Sequence, residues 1–194
     1  MADRTRQRIL LTGAAGTIGS ALRASLRRDG RTIRAFDVAP LAEAAPGIAA
    51  EELRQGDMRS MEDVRRAVAG CDAVVHLAGI PREAPFEEIL ATNIGGLQHL
   101  LEACRQEGCR RVVFASSNHA IGFYPVGEPV RMDQPPRPDT YYGFSKATGE
   151  LLARLYFDRF GIESCSIRIG TFGDRPTSGR LLRTLVTPRD LSQL

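Results

Sequence analysis

Uninterrupted apolar runs of four to six residues recur along the chain, each followed by a stretch whose apolar positions return every three or four residues. RILLTG (8–13) reads as a buried strand and TIGSALRASLRRDG (17–30) as a helix stopping at Gly30. RTIRAFD (31–37) and ELRQGD (52–57) are second and third strands, and SMEDVRRAVAG (60–70) opens with Ser60 and Asp63 at capping-box spacing and closes at Gly70. CDAVVHLAG (71–79) and RRVVFASS (110–117) are further strands on either side of one long helical stretch, FEEILATNIGGLQHLLEACRQEG (86–108). KATGELLARLYFDRFG (146–161) is a helix ending at Gly161, and ESCSIRIG (163–170) is a sixth strand.

Strands apolar along their whole length, alternating with helices, require a parallel sheet covered on both faces. The chain is therefore expected to form one α/β domain over 1–194, a Rossmann-type doubly wound sheet. One long irregular piece, NHAIGFYPVGEPVRMDQPPRPDT (118–140), carries five prolines and follows a strand's carboxyl end, where function concentrates in such sheets. Near the terminus, Thr187, Pro188 and Asp190 set a cap, a first helical position and a third. That helix starts within one turn of Leu194, too late to hold itself, so the chain is expected to be a fragment of a longer fold.

Composition narrows the function classes. A formal charge of +3, no Trp and arginines scattered as Arg23, Arg27, Arg28, Arg65 and Arg66 suit solvated helix faces better than a nucleic-acid stripe. The apolar run after the basic MADRTRQR is too short for a signal segment or a membrane span. Cys71, Cys104, Cys109 and Cys165 show no CxxC spacing, so they are expected to be small buried hydrophobes in a cytoplasmic protein, with no metal.

TGAAGTIG places Gly13, Gly16 and Gly19 after a strand and at a helix start. In that context the glycines allow a tight turn, backbone approach to a pyrophosphate and close helix packing, with the helix N-terminus facing the phosphates. Asp37 ends the second strand, 18 residues beyond Gly19, where a carboxylate accepts both ribose hydroxyls and repels a 2′-phosphate. The expected cofactor is NAD rather than NADP, with Arg34 as the opposing feature because it could meet a phosphate. Asp57 and Met58, after the third strand, are candidates for the adenine edge.

DTYYGFSKATGE (139–150) sets two tyrosines before a lysine. Four helical residues turn through about 400°, so Tyr142 and Lys146 share a face, while Tyr141 points about 140° away. A tyrosine near pKa 10 is a poor base at neutral pH; the lysine ammonium and an oxidised nicotinamide are expected to favour its phenolate. Ser117, ending the fifth strand, would orient the substrate oxygen. His76 reads as a satisfied strand residue, His99 as a helix-face residue, and His119, beside Ser117, as a substrate contact.

The glycine motif, HLAG, Asn93, Ser117 and YGFSK resemble, in order, the NAD-dependent epimerase/dehydratase group of the extended short-chain dehydrogenase/reductase superfamily. VVFASSNHAIGFYP, RPDTYYGFSKATGE and LARLYFDRFG carry a closer resemblance to the uronate dehydrogenases of that group. The resemblance implies oxidation of a hexuronic acid at C1 with NAD, giving an aldarolactone. It makes Tyr142 the general base with Lys146 and Ser117, and Ser117, Asn118, His119, Tyr142 and Arg180 the sugar contacts, Arg180 holding the carboxylate. Cofactor contacts would include Thr17, Ile18, Leu77, Ala78, Gly79, Asn93 and Lys146 beside the glycines and Asp37. Residues 170–194 would begin the substrate-binding region. Pro81 stands where these enzymes tend to have a serine. A nucleotide-sugar epimerase or dehydratase and a non-catalytic NAD-binding module are the alternatives, and the two long helices either join copies of the chain or simply cover the sheet.

Overall fold

Six parallel strands form the frame, and their order, not their number, places the site. The computed structural model describes residues 7–26, 31–42, 51–176, 178–179 and 181–193. In chain order these are β1 (Arg8–Thr12), α1 (Thr17–Leu26), β2 (Thr32–Asp37), β3 (Glu51–Gln55), α2 (Met61–Val68), β4 (Ala73–His76), α3 (Phe86–Ile89), α4 (Gly96–Glu107), β5 (Arg111–Ser117), α5 (Tyr141–Phe160) and β6 (Glu163–Ile169). A two-stranded pair, β7 (Thr171–Phe172) with β8 (Leu185–Val186), and α6 (Pro188–Leu191) follow. The sheet order is β3-β2-β1-β4-β5-β6. Chain direction across the sheet reverses between β1 and β4, opening a crevice at their carboxyl ends.

Both faces are apolar because alternate strand residues feed two cores. Leu10, Val74, Val112 and Phe114 pack under α2, α4 and α5, whereas Ile9, Leu11, Ile33 and Ala35 meet Leu22 of α1 and Leu191 of α6. The expected caps are in place: Ser60 accepts the Asp63 N–H, Gly161 ends α5 in the left-handed region at φ +69°, and Thr187 and Asp190 form a reciprocal capping box. The predicted stop at Gly30 lies outside the described residues, as do Arg27 and Arg28. No helix among the described residues is long and apolar enough to cross a membrane.

The long helical stretch is in place over 86–107, with Leu90–Gly95 between α3 and α4 as a π-turn. Three expectations need correction. Arg23 is buried rather than solvated, paired with Glu51 at 2.7 Å. Cys165 is exposed, unlike the other three cysteines, because β6 is a sheet edge with little covering it. Arg34 turns away from the phosphates: its guanidinium is bound by Glu52 and by the carbonyls of Ala67 and Ala69.

Candidate active site

The crevice holds an open cavity of about 750 Å³ that runs from the β1–α1 turn to the start of α5. Gly13 makes the turn at φ +71°, where an added Cβ would lie 2.7 Å from the Ala78 nitrogen, and at Gly19 a Cβ would strike the Gly13 carbonyl. A side chain at either place would close the gap between turn, helix and β4. Thr17, Ile18 and Gly19 then line the cavity with N–H groups that meet no acceptor among the described residues. Three free donors at a helix start fit an anionic pyrophosphate.

Asp37 stands at the far end of this turn. Its carboxylate accepts the Ala15 and Ala39 N–H groups, both at 2.9 Å, so its aim is fixed by the backbone. Asp57 and Met58 line the same end; Asp57 is gripped by Arg59, whose hydrogen bond holds its carboxyl below the usual range, and Met58 is largely core. Leu77, Ala78 and Gly79 form the opposite wall with Ile80 and Pro81. Behind that wall Asn93 accepts the Ile80 N–H at 2.7 Å and donates to the Ile80 carbonyl and to Ser145 Oγ. Asn93 lies in the π-turn, which accounts for the irregular helix: the extra residue per turn aims one amide at both the loop and α5.

At the other end stand Ser117, Tyr142 and Lys146. Tyr141 is 52% exposed and packs on Phe86, so Tyr142 is the tyrosine that faces the cavity. Burial raises the Tyr142 phenol above its ordinary pKa, against a hydrogen bond to Ser117 that lowers it. Lys146 is 6% exposed, and burial pulls its ammonium down to about 8. The ammonium sits 5.0 Å from the Phe114 ring centroid and 5.5 Å from that of Tyr142, with no hydrogen-bond acceptor among the described residues. The expected depression of Tyr142 by Lys146 does not act in the chain itself, where desolvation dominates and only Ser117 opposes it. A buried ammonium without an acceptor, lining a cavity, fits a ligand hydroxyl such as a ribose's.

His119 leaves the cavity wall to its neighbours, with Nδ1 2.9 Å from the Asp139 carboxylate and its ring edge-on to Tyr142 at 5.8 Å. Asn118 contacts Ser117 Oγ at 3.3 Å. Arg180 lies outside the described residues. His76 is buried, shares a 2.8 Å hydrogen bond with Thr12, and is held neutral by burial and by the Lys146 charge, its pKa falling to about 3. His99 is the helix-face residue expected, bonded to the Met58 carbonyl. Sequence reading missed Glu83 and Ser145, whose contacts lie far apart in the chain or inside a helix turn and leave no periodic trace.

A parallel sheet in this order, with a glycine turn and an acidic strand end at its crevice, defines a Rossmann-type dinucleotide-binding protein that uses NAD. The model of the NAD dependent epimerase/dehydratase family matches residues 9–187; the chain belongs to that family and is an NAD-dependent oxidoreductase. It is 47% identical over 187 residues to the uronate dehydrogenase of Pseudomonas syringae pv. tomato, covering 96% of this chain and 67% of that one. It is likewise 47% identical to the uronate dehydrogenase of Agrobacterium fabrum, covering 97% and 70%. The solved uronate dehydrogenase from Agrobacterium tumefaciens superposes with a TM-score of 0.92 at 46% identity, over 97% of this chain and 70% of that one. A tyrosine-to-alanine mutant of that enzyme, complexed with NAD, superposes equally well.

Proposed function

We propose that the chain oxidises a hexuronic acid, glucuronate or galacturonate, at C1 to the aldarolactone, as the names of its relatives suggest. The observation that carries the reading is the joining of Ser117, Tyr142 and Lys146 at the end of a cavity whose other end suits a pyrophosphate. When bound, NAD supplies the hydride acceptor and a positive ring. Tyr142 takes the proton of the anomeric hydroxyl, and Ser117, hydrogen-bonded to the phenol, holds that oxygen in line. Lys146 adds positive charge under the phenol ring. Asn118 and His119, the latter aimed by Asp139, contact the sugar, and Arg180 binds its carboxylate through paired hydrogen bonds. Gly13, Gly16, Thr17, Ile18 and Gly19 hold the pyrophosphate, Asp37 the ribose, Asp57 and Met58 the adenine end, and Leu77–Gly79 wall the cofactor, braced by Asn93. An apolar stripe on α5, with Phe144, Leu151 and Leu155 at least 40% exposed, supports α5 as an interface between copies.

The test is nicotinamide reduction, followed by absorbance, with purified chain, NAD and either sugar acid. Tyr142→Phe should lower kcat by about 10²–10⁴-fold while leaving the thermal transition in place. Undiminished turnover in the variant would remove Tyr142 as the base. A folded chain that binds NAD and turns over neither sugar would remove the substrate assignment.

A further inference from the structure

The backbone of Tyr142 is held from two sides by one loop. The segment after β4, residues 77–85, walls the cavity with Leu77–Pro81 and then reaches the start of α5, where the Glu83 carboxylate accepts the Tyr141 N–H at 3.2 Å and the Tyr142 N–H at 3.0 Å. On the other side Ser145 Oγ donates to the Tyr142 carbonyl at 2.7 Å, and Asn93 connects Ser145 to the Ile80 backbone. Thr140 already caps the Gly143 N–H at 2.8 Å in the usual way. Glu83 therefore adds something a local cap does not: it comes from 59 residues away and ties the cofactor wall to the tyrosine's own peptide unit.

We infer that Glu83 is a positioning residue for Tyr142, setting the distance between the phenol and the wall against which the nicotinamide end would lie. The inference rests on the reading of Tyr142 as the base. Loss of the carboxylate frees the first turn of α5 from the loop, and a shift of about 1 Å at a reacting group lowers turnover up to about 100-fold. The pyrophosphate turn and Asp37 lie on other elements, and Lys146 sits one turn further into α5, so most NAD contacts are kept when the carboxylate is lost.

The experiment compares Glu83→Ala, Glu83→Gln and Thr140→Ala in the full chain. Each is measured for kcat with NAD and glucuronate, for the dissociation constant of NAD, for Tm, and for hydrogen exchange at the Ile80, Tyr141 and Tyr142 amides. Glu83→Ala should lower kcat by about 10- to 100-fold with the NAD dissociation constant within about twofold. Glu83→Gln keeps one acceptor oxygen but turns an N–H donor toward the other amide, and should recover only part of that loss. Thr140→Ala, which weakens the same helix end without touching the loop, should lower Tm but not kcat. Equal effects of Glu83→Ala and Thr140→Ala on Tm, with kcat unchanged in both, would overturn the inference and leave Glu83 a cap. If the unsubstituted chain turns over neither sugar acid, the reading of the reaction fails separately, and hydrogen exchange decides: faster exchange at Ile80 as well as at Tyr141 and Tyr142 in Glu83→Ala supports the tie, and unchanged exchange at Ile80 overturns it.

Discussion

Replacing Lys146 by methionine should make the chain more stable near neutral pH while disabling the site. Burial pulls the Lys146 ammonium from its ordinary 10.5 to about 8, and the gap corresponds to about 3 kcal/mol against keeping it charged in the fold. The faces of Phe114 and Tyr142, 5.0 and 5.5 Å away, recover part of this, since a desolvated cation–π contact contributes about 2 kcal/mol. The net penalty is therefore about 1–2 kcal/mol, which an unbranched, uncharged methionine escapes while filling most of the same volume. Between about pH 8 and pH 10.5 the unfolded chain keeps a proton on this residue that the folded chain has released, so the stability of the unsubstituted chain rises through that window. The advantage of Lys146→Met is whole below pH 8 and fades toward pH 10.5. Thermal unfolding followed by circular dichroism checks this: at roughly 2–4 °C per kcal/mol for a domain of this size, Tm at pH 7 should rise by about 2–8 °C. A variant that melts lower at pH 7, or whose difference from the unsubstituted chain is the same at pH 7 and pH 10, would refute the reasoning.

Two further outcomes follow from groups beside this lysine and at the far end of the cavity. His76 has a folded pKa of about 3 against an ordinary 6.5, so the unfolded chain binds its proton first and stability falls as pH drops from 6.5 toward 3, by about 4–5 kcal/mol in all. His76→Gln, which can still pair with Thr12, should flatten that part of a plot of urea midpoint against pH; an unaltered slope would rule out His76 as its source. Asp37→Asn keeps an acceptor for the Ala15 N–H but removes the charge, and should weaken NAD binding about tenfold while narrowing the preference over NADP. Fluorescence titration of both cofactors measures this, and an unchanged ratio of the two dissociation constants would remove Asp37 from the ribose site.

The parts of this molecule that obey a period were readable in advance. Continuous apolar strands announced the parallel sheet, and the four-residue spacing picked Tyr142 over Tyr141, which the structure turns outward onto Phe86. Gly13, Gly16, Gly19 and Asp37 were legible because a turn, a close approach and a strand end each demand one residue type. Contacts between distant segments were not. Nothing in the spacing of Arg34 foretells Glu52 and the carbonyls of Ala67 and Ala69, and nothing near Glu83 foretells the amides of α5. The π-turn escaped for a similar reason: the apolar repeat of 86–107 suits a regular helix, and what breaks it is the demand on Asn93 to reach Ile80 and Ser145 together. Cys165 and Arg23 were misjudged because burial depends on which strand is the edge and on which partner crosses to meet the side chain.

Spacing located the tyrosine and the lysine, but burial sets what each can do. It raises the Tyr142 phenol and lowers the Lys146 ammonium, so both groups are pushed toward their neutral forms. Neither push favours the phenolate and ammonium that the proposed proton transfer uses. In this chain position and reactivity are controlled through different atoms of the same residue. The Tyr142 peptide is fixed by Glu83 at its N–H and by Ser145 at its carbonyl, while Ser117 acts on the phenol oxygen. A tyrosine held through its backbone can change protonation state without losing its place, because none of the bonds that hold it involves the proton that moves. Had the phenol itself been the anchor, every proton transfer would have broken and remade the contact that aims it. The same division explains why Glu83→Ala should alter turnover more than the protonation of Tyr142.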